Sequence, residues 1–324
     1  MKLRSCVAPS SCTAHRSTCS PPKTSCKPLA DRRKRRSTVN FLLEPLTFEF
    51  MQRALIATVL MAVTCSLLSC WLVLMGWSLM GDAISHAVLP GVVIAYIVGA
   101  PFAVGALVAA LVAVTLMWGI RRGTRRIAED TAIGIVFTTL FALGLVLISA
   151  TPSHTDLNHI LFGNVLGIST ADVLQITVLG LLVSAVLLIK RKDFVLVAFD
   201  PNYTQAIGLR PHIISGVLLV MLALTNVLAL QIVGVILVVA MLIIPGATAR
   251  MLTNKFSRML IIAPIVSAIG SIVGLYLSYY IDVSPGGAVV LVQGIIFTVV
   301  YLASPRYGLV STWVRGKKTK TQVM

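Results

Sequence analysis

Nine apolar stretches follow one another along the chain, at roughly 52–75, 84–99, 102–119, 131–150, 172–189, 212–230, 232–249, 259–280 and 287–303. No other feature constrains the fold as strongly. A helix needs about 20 apolar residues to cross the hydrocarbon core of a bilayer. Backbone in lipid must also satisfy its own hydrogen bonds, which leaves helices as the means of crossing for segments of this length. The expected fold is therefore all-α, a polytopic membrane protein with eight or nine transmembrane helices. Two gaps are thin: Gly99-Ala100-Pro101 separates the second and third stretches, and Gln231 to Gly234 the sixth and seventh. Whether the count is eight or nine turns on whether the first stretch spans fully. Composition points the same way: 57% of the 324 residues are hydrophobic and 12% charged, too few charges to coat a soluble domain.

The formal charge of +16 divides unevenly. Residues 1–40 hold ten Lys and Arg against Asp31, a net +9, and the other 284 residues carry only +7. A nucleic-acid-binding reading would rest on that tail alone. Basic runs beside membrane segments set topology or meet anionic lipid, so the bilayer is the expected partner and nucleic acid is not. In the body, Arg121–Arg126, Lys190–Lys192 with Arg210, Arg250 with Lys255 and Arg258, and the C-terminal Arg306, Arg315, Lys317, Lys318 and Lys320 fall on one side by parity. The alternating loops 151–171 and 281–286 contain no Lys or Arg. The positive-inside rule thus puts the C-terminus in the cytoplasm. Nine full crossings would leave the basic tail outside, against that rule. Residues 1–40 are Ser-, Thr-, Pro- and Cys-rich, with no run able to bury a core, and read as a disordered basic tail whose expected origin is a mis-called start. No compact apolar region and small-residue cleavage site follow Arg32–Arg36, so it does not read as a signal peptide. The six cysteines form no Cys-x-x-Cys pair, and Cys65 and Cys70 read as small packing residues.

Within the apolar body, GDAISHAVLPG at 81–91 places Asp82 and His86 four residues apart. On a helix these lie on one face, about 5–6 Å apart at Cβ. A carboxylate and an imidazole there suit Mn²⁺, Fe²⁺ or Zn²⁺. Two ligands are too few, and a two-fold homodimer would supply four. The plainer reading makes Asp82 a helix N-cap and His86 a structural side chain bonded to a backbone carbonyl. Pro90 and Gly91 weaken the helix just beyond, as in a broken pore-lining helix. In SHTDLNHILFGN, 153–164, His154, Asp156 and His159 form a candidate outer metal mouth or a solvated loop. FDPNYTQAIGLRP, 199–211, reads as a short polar helix ending at Gly208, either a docking element for a cytoplasmic partner or a connector. In 231–250, Pro245 and Gly246 interrupt a very apolar helix, and Thr248 can satisfy a freed backbone group. There is no G-x-x-x-x-G-K-[ST], so the chain has no phosphate loop and is not expected to be an enzyme. Nor is there a G-x-S-x-G or H-E-x-x-H, which disfavours a membrane hydrolase.

Several ordered segments resemble a family. GDAISHAVLPGVVIAYIVG (81–99), LFGNVLG (161–167), FDPNYTQAIGL (199–209), VGVILVVAMLIIPGATARMLT (233–253) and SPGGAVVLV (284–292) with SPRYGL (304–309) are similar to permease subunits of bacterial ABC importers for manganese, zinc and iron. LLEPLTFEFMQRAL (42–55) resembles the usual start of such a permease. The resemblance implies a type II ABC importer-like permease domain over 41–310, with a cytoplasmic basic tail over 311–324, in the bacterial cell membrane. It implies a homodimer or pseudo-dimer of permeases, cytoplasmic ABC ATPase subunits and an extracytoplasmic metal-binding protein. Asp82 and His86 would line the metal path. Asp200, Pro201, Gln205, Ala206, Gly208 and Leu209 would dock the ATPase. No cofactor is expected to be permanently bound; the ion is cargo, with Mn²⁺ expected ahead of Zn²⁺ and Fe²⁺ because of the opening segment. The alternatives are a secondary metal transporter or channel without an ATPase, and an ABC permease for a chelate such as a siderophore or cobalamin.

Overall fold

Each apolar stretch forms a helix, and the polar or glycine-bearing gaps form its ends. The computed structural model describes residues 45–123, 129–150 and 167–304, without the side chains of 121–123, 129–130, 231–233 and 235–236. After a 3₁₀ turn at Pro45–Thr47 come α1 (Glu49–Met75), α2 (Met80–Ala87), α3 (Leu89–Val98) and α4 (Phe102–Gly123). Then follow α5 (Glu129–Ala150), α6 (Thr170–Ile189), α7 (Arg191–Phe199) and α8 (Pro201–Ala206). The last four are α9 (Pro211–Val233), α10 (Val235–Leu252), α11 (Phe256–Ile281) and α12 (Pro285–Ala303). No strand occurs among the described residues. Proline opens α8, α9 and α12, where its missing N–H costs nothing. Both thin gaps hold a glycine at positive φ, 74° at Gly99 and 80° at Gly234, which lets the chain leave one helix and start another within a few residues.

Helix α1 is packed on by α6, α7, α9, α10 and α11. Its Ala54, Ala57, Met61, Cys65, Leu68, Trp71 and Leu72 are entirely buried. At one end the Trp71 ring meets Phe194 of α7 and Phe256 of α11 edge-on, with centroids 6.0 and 5.2 Å away. At the other, Phe48 lies 6.3 Å from Tyr279, so α1 and α11 run antiparallel. Cys65 and Cys70 are free and fully buried, in the packing role expected of them.

Where α1 crosses α10 the contact is polar as well as close. Pro245 takes an N–H out of the helical ladder. Next to it, Gly246 N–H donates to Ser69 Oγ at 3.0 Å, and Ser69 Oγ donates to Ile243 O at 3.4 Å. A Cβ on Gly246 would overlap Ser69. Thr248 Oγ1 donates to Ile244 O at 2.7 Å and not to Met241 O, the carbonyl that Pro245 leaves without its helical donor, so it is a back-bond other than the one expected. The helix nonetheless runs on through Pro245 from Val235 to Leu252.

Among the described residues eight helices are long and apolar enough to cross a membrane, counting the broken rod Met80–Val98 as one, and a ninth apolar helix, Leu237–Leu252, is shorter. The count of eight or nine holds, but its cause is corrected. The first stretch is a 27-residue helix, about 40 Å long at 1.5 Å per residue and sufficient to span. The ambiguity lies instead in α10. Several of the basic groups share one end of the bundle. Trp71 links the start of α7 to that of α11, and Ser304, just past α12, donates from Oγ to Met251 O at 3.0 Å. The expectations for residues 1–40, for 311–324 and for the loop at 124–126 lie outside the described residues.

Candidate metal site

The helix that carries Asp82 and His86 is only eight residues long. Pro90 explains the break that follows, since it brings no N–H to the carbonyl of His86 four residues earlier. The chain continues as α3 after Val88, whose own backbone stays near helical at φ −71° and ψ −24°. The broken helix expected from Pro90 and Gly91 is present. Asp82 lies in the first turn of α2 but is not its N-cap; that position is Leu79, which makes no side-chain cap bond. The plainer reading of Asp82 is thereby corrected. His86 turns to Asp82 instead of a backbone carbonyl, with Nε2 3.4 Å from Oδ1. That distance exceeds a good N–H···O bond of about 2.7–3.2 Å, so neither group is fully engaged by the other.

Both side chains are partly open, Asp82 at 36% exposure and His86 at 29%. The His86 ring is held on its other side by two rings of α5, Phe137 and Phe141, at centroid distances of 5.5 and 5.3 Å. These positions lie in the middle of the apolar span Thr131–Ala150. The His86 ring therefore lies against the middle of the α5 span. An ionisable group inside a bilayer is costly without partners.

One face of α2 is fixed from behind. Ser85 is buried, and its single O–H is shared between Asn226 Oδ1 of α9 at 3.0 Å and Gly81 O at 2.9 Å. Asn226, wholly buried, donates from Nδ2 to Gly81 O at 3.1 Å. A Cβ on Gly81 would press on Leu242 of α10. The sequence reading missed Asn226, Phe137 and Phe141. Asn226 had a signal, as an amide inside the apolar run 212–230; the phenylalanines had none.

Among the described residues no three His, Cys, Asp or Glu come together, so among them Asp82 and His86 stand as a pair. His154, Asp156 and His159 lie outside the described residues. The 199–211 segment folds as the sequence suggested, with α7 immediately before it. Asp200 caps α8, its Oδ1 accepting from Asn202 N–H and Tyr203 N–H at 3.0 Å each. Gly208 closes the turn at φ 85°, its N–H donating to Gln205 O at 3.1 Å, while Leu209 N–H donates to Thr204 O at 3.2 Å. Thr204 is buried; Pro201, Gln205 and Ala206 are exposed, beside Phe199, Tyr203 and Ile207. A cleft of about 530 Å³ lined by Trp118, Gln205, Leu209, Arg210 and His212 lies beside α8, away from Asp82 and His86.

Residues 47–304 match the ABC 3 transport family. The chain is 47% identical over 272 residues to the manganese transport system membrane protein MntB of Synechocystis sp., covering 84% of this chain and 89% of the relative. It is 46% identical over 260 residues to the chelated iron transport system membrane protein YfeD of Yersinia pestis, covering 80% and 87%. Among solved structures, PsaBC from Streptococcus pneumoniae in complex with a Fab superposes with a TM-score of 0.75 at 35% identity, over 87% of this chain and all of the other.

Proposed function

We propose, from the premise that the chain belongs to the ABC 3 transport family as a permease of a bacterial metal ABC importer, that it passes Mn²⁺ across the bilayer between Asp82/His86 pairs of two permease chains. The observation that carries this is the pair itself: a partly open carboxylate and imidazole, the imidazole against the middle of α5, on a helix broken just beyond them. Two chains meeting there supply two oxygen and two nitrogen donors, a set suited to Mn²⁺, Fe²⁺ or Zn²⁺. Mn²⁺ is preferred because MntB is named for manganese transport and the 42–55 segment resembles manganese and iron members. Family membership sets aside a carrier that works without an ATPase.

The ion arrives from an extracytoplasmic metal-binding protein and sheds its water as it enters the site. Binding there must be tight enough to admit it and weak enough to let it leave. Cytoplasmic ATPase subunits grip the α8 segment, from Asp200 and Pro201 through Gln205 and Ala206 to Gly208 and Leu209. Its exposed Tyr203 and Ile207 give the contact an apolar centre. The lack of Lys and Arg in alternating loops supports a cytoplasmic C-terminus.

The test is uptake of Mn, Fe and Zn by cells whose copy carries Asp82→Ala or His86→Ala. Both variants should abolish uptake of the cargo metal while reaching the membrane in normal amounts. Unchanged uptake in both would overturn the site.

A further inference from the structure

Gly81 and Ser85 stand one helical turn apart, and each directly precedes a residue of the metal pair. Successive helical residues are turned by about 100°, at 3.6 per turn. The face bearing 81 and 85 therefore fixes where 82 and 86 point. That face is held by Asn226 of α9. A side-chain amide offers a donor and an acceptor side by side. Here Nδ2 donates to Gly81 O at 3.1 Å, and Oδ1 lies 3.0 Å from Ser85 Oγ, whose one O–H it shares with Gly81 O at 2.9 Å. One side chain thus takes hold of both ends of a single turn, with Asn226 and Ser85 both buried. On the neighbouring face, Phe137 and Phe141 stop the His86 ring.

Resting on the metal-path reading above, we infer that Asn226 is a positioning residue: with Ser85 it sets the rotation of α2, so that Asp82 and His86 face the path together. Leu242 of α10 packs against Gly81 but supplies no hydrogen bond that fixes rotation. Apolar packing alone leaves α2 free to settle a few degrees either way, and eight residues broken at Pro90 have little helix of their own to resist this.

The experiment compares Asn226→Leu, Ser85→Ala and the double variant in the assembled importer in liposomes, with Mn²⁺ carried per ATP hydrolysed as the readout. This ratio does not depend on how much protein folds. Asn226→Leu should lower it about tenfold, the scale on which residues that orient metal ligands act. Ser85→Ala should lower it less, and the double variant should match Asn226→Leu, because both remove one device. A normal ratio for Asn226→Leu, with Asp82→Ala inactive in the same assay, would overturn the positioning role and leave the site standing. Losses that multiply in the double variant would also overturn it. Should Asn226→Leu fail to accumulate, Ser85→Ala, which removes one hydroxyl, decides alone: a normal ratio overturns the inference. Full activity of Asp82→Ala would instead remove the premise.

Discussion

At the scale of single residues, the closest helix approach near the site depends on two missing side chains. A Cβ on Gly91 of α3 would overlap the Gly105 carbonyl and the Ala109 methyl of α4, and one on Gly105 would overlap the Gly91 carbonyl and Ala95. Small residues at such crossings let helices pack by close contact where lipid offers no hydrophobic drive. Gly91→Ala or Gly105→Ala should destabilise the protein by about 3 kcal/mol or more, since the clash is with backbone that cannot step aside. Gly119→Ala on the same α4 meets nothing and should be neutral. Thermal unfolding of the detergent-purified variants separates them. Residue by residue, the site was legible only in part. Asp82 and His86 announce themselves because ionisable groups are rare in apolar runs. Asn226 is equally visible as a polar residue in such a run, but its partner Gly81 lies 145 positions away. Sequence spacing carries no information about contacts that only packing creates.

At the scale of elements, the break between α2 and α3 and the cap of α8 do the positioning. Pro90→Ala gives the His86 carbonyl a donor and lets α2 run straight into α3. It should raise the unfolding temperature and slow metal uptake, because α2 and α3 then become one stiff rod. Uptake at the normal rate would mean that the break serves no motion. Asp200→Ala deletes the acceptor for two N–H groups at the start of α8, at about 1 kcal/mol. It should weaken capture of the ATPase in a pull-down from membranes, whereas Asp200→Ser, which keeps an oxygen there, should largely retain it. The sequence read most element ends well because Gly99, Gly234 and the prolines are local signals. It did not resolve α7, whose RKDFVLVAF mixes charge and apolar residues without a clear stop before Asp200.

At the scale of the whole molecule, the succession of long apolar stretches made the all-α membrane fold readable, while the packing order of the helices was not, since every span is similarly apolar. The proposed site is completed by a second chain, and this has a genetic consequence. Cells making equal amounts of intact chain and an Asp82→Ala/His86→Ala chain should form only about a quarter fully intact dimers if pairing is random. Metal uptake should fall toward that fraction, whereas a site complete within one chain would leave about half. The interior of each chain points to a related outcome. Met61, Leu68 and Leu72 are wholly buried within the chain, while Asp82 and His86 stay partly open. On the proposed reading, a newly inserted chain that has not met its partner therefore holds half a site, and a cell can build the importer one subunit at a time before any of them can pass an ion.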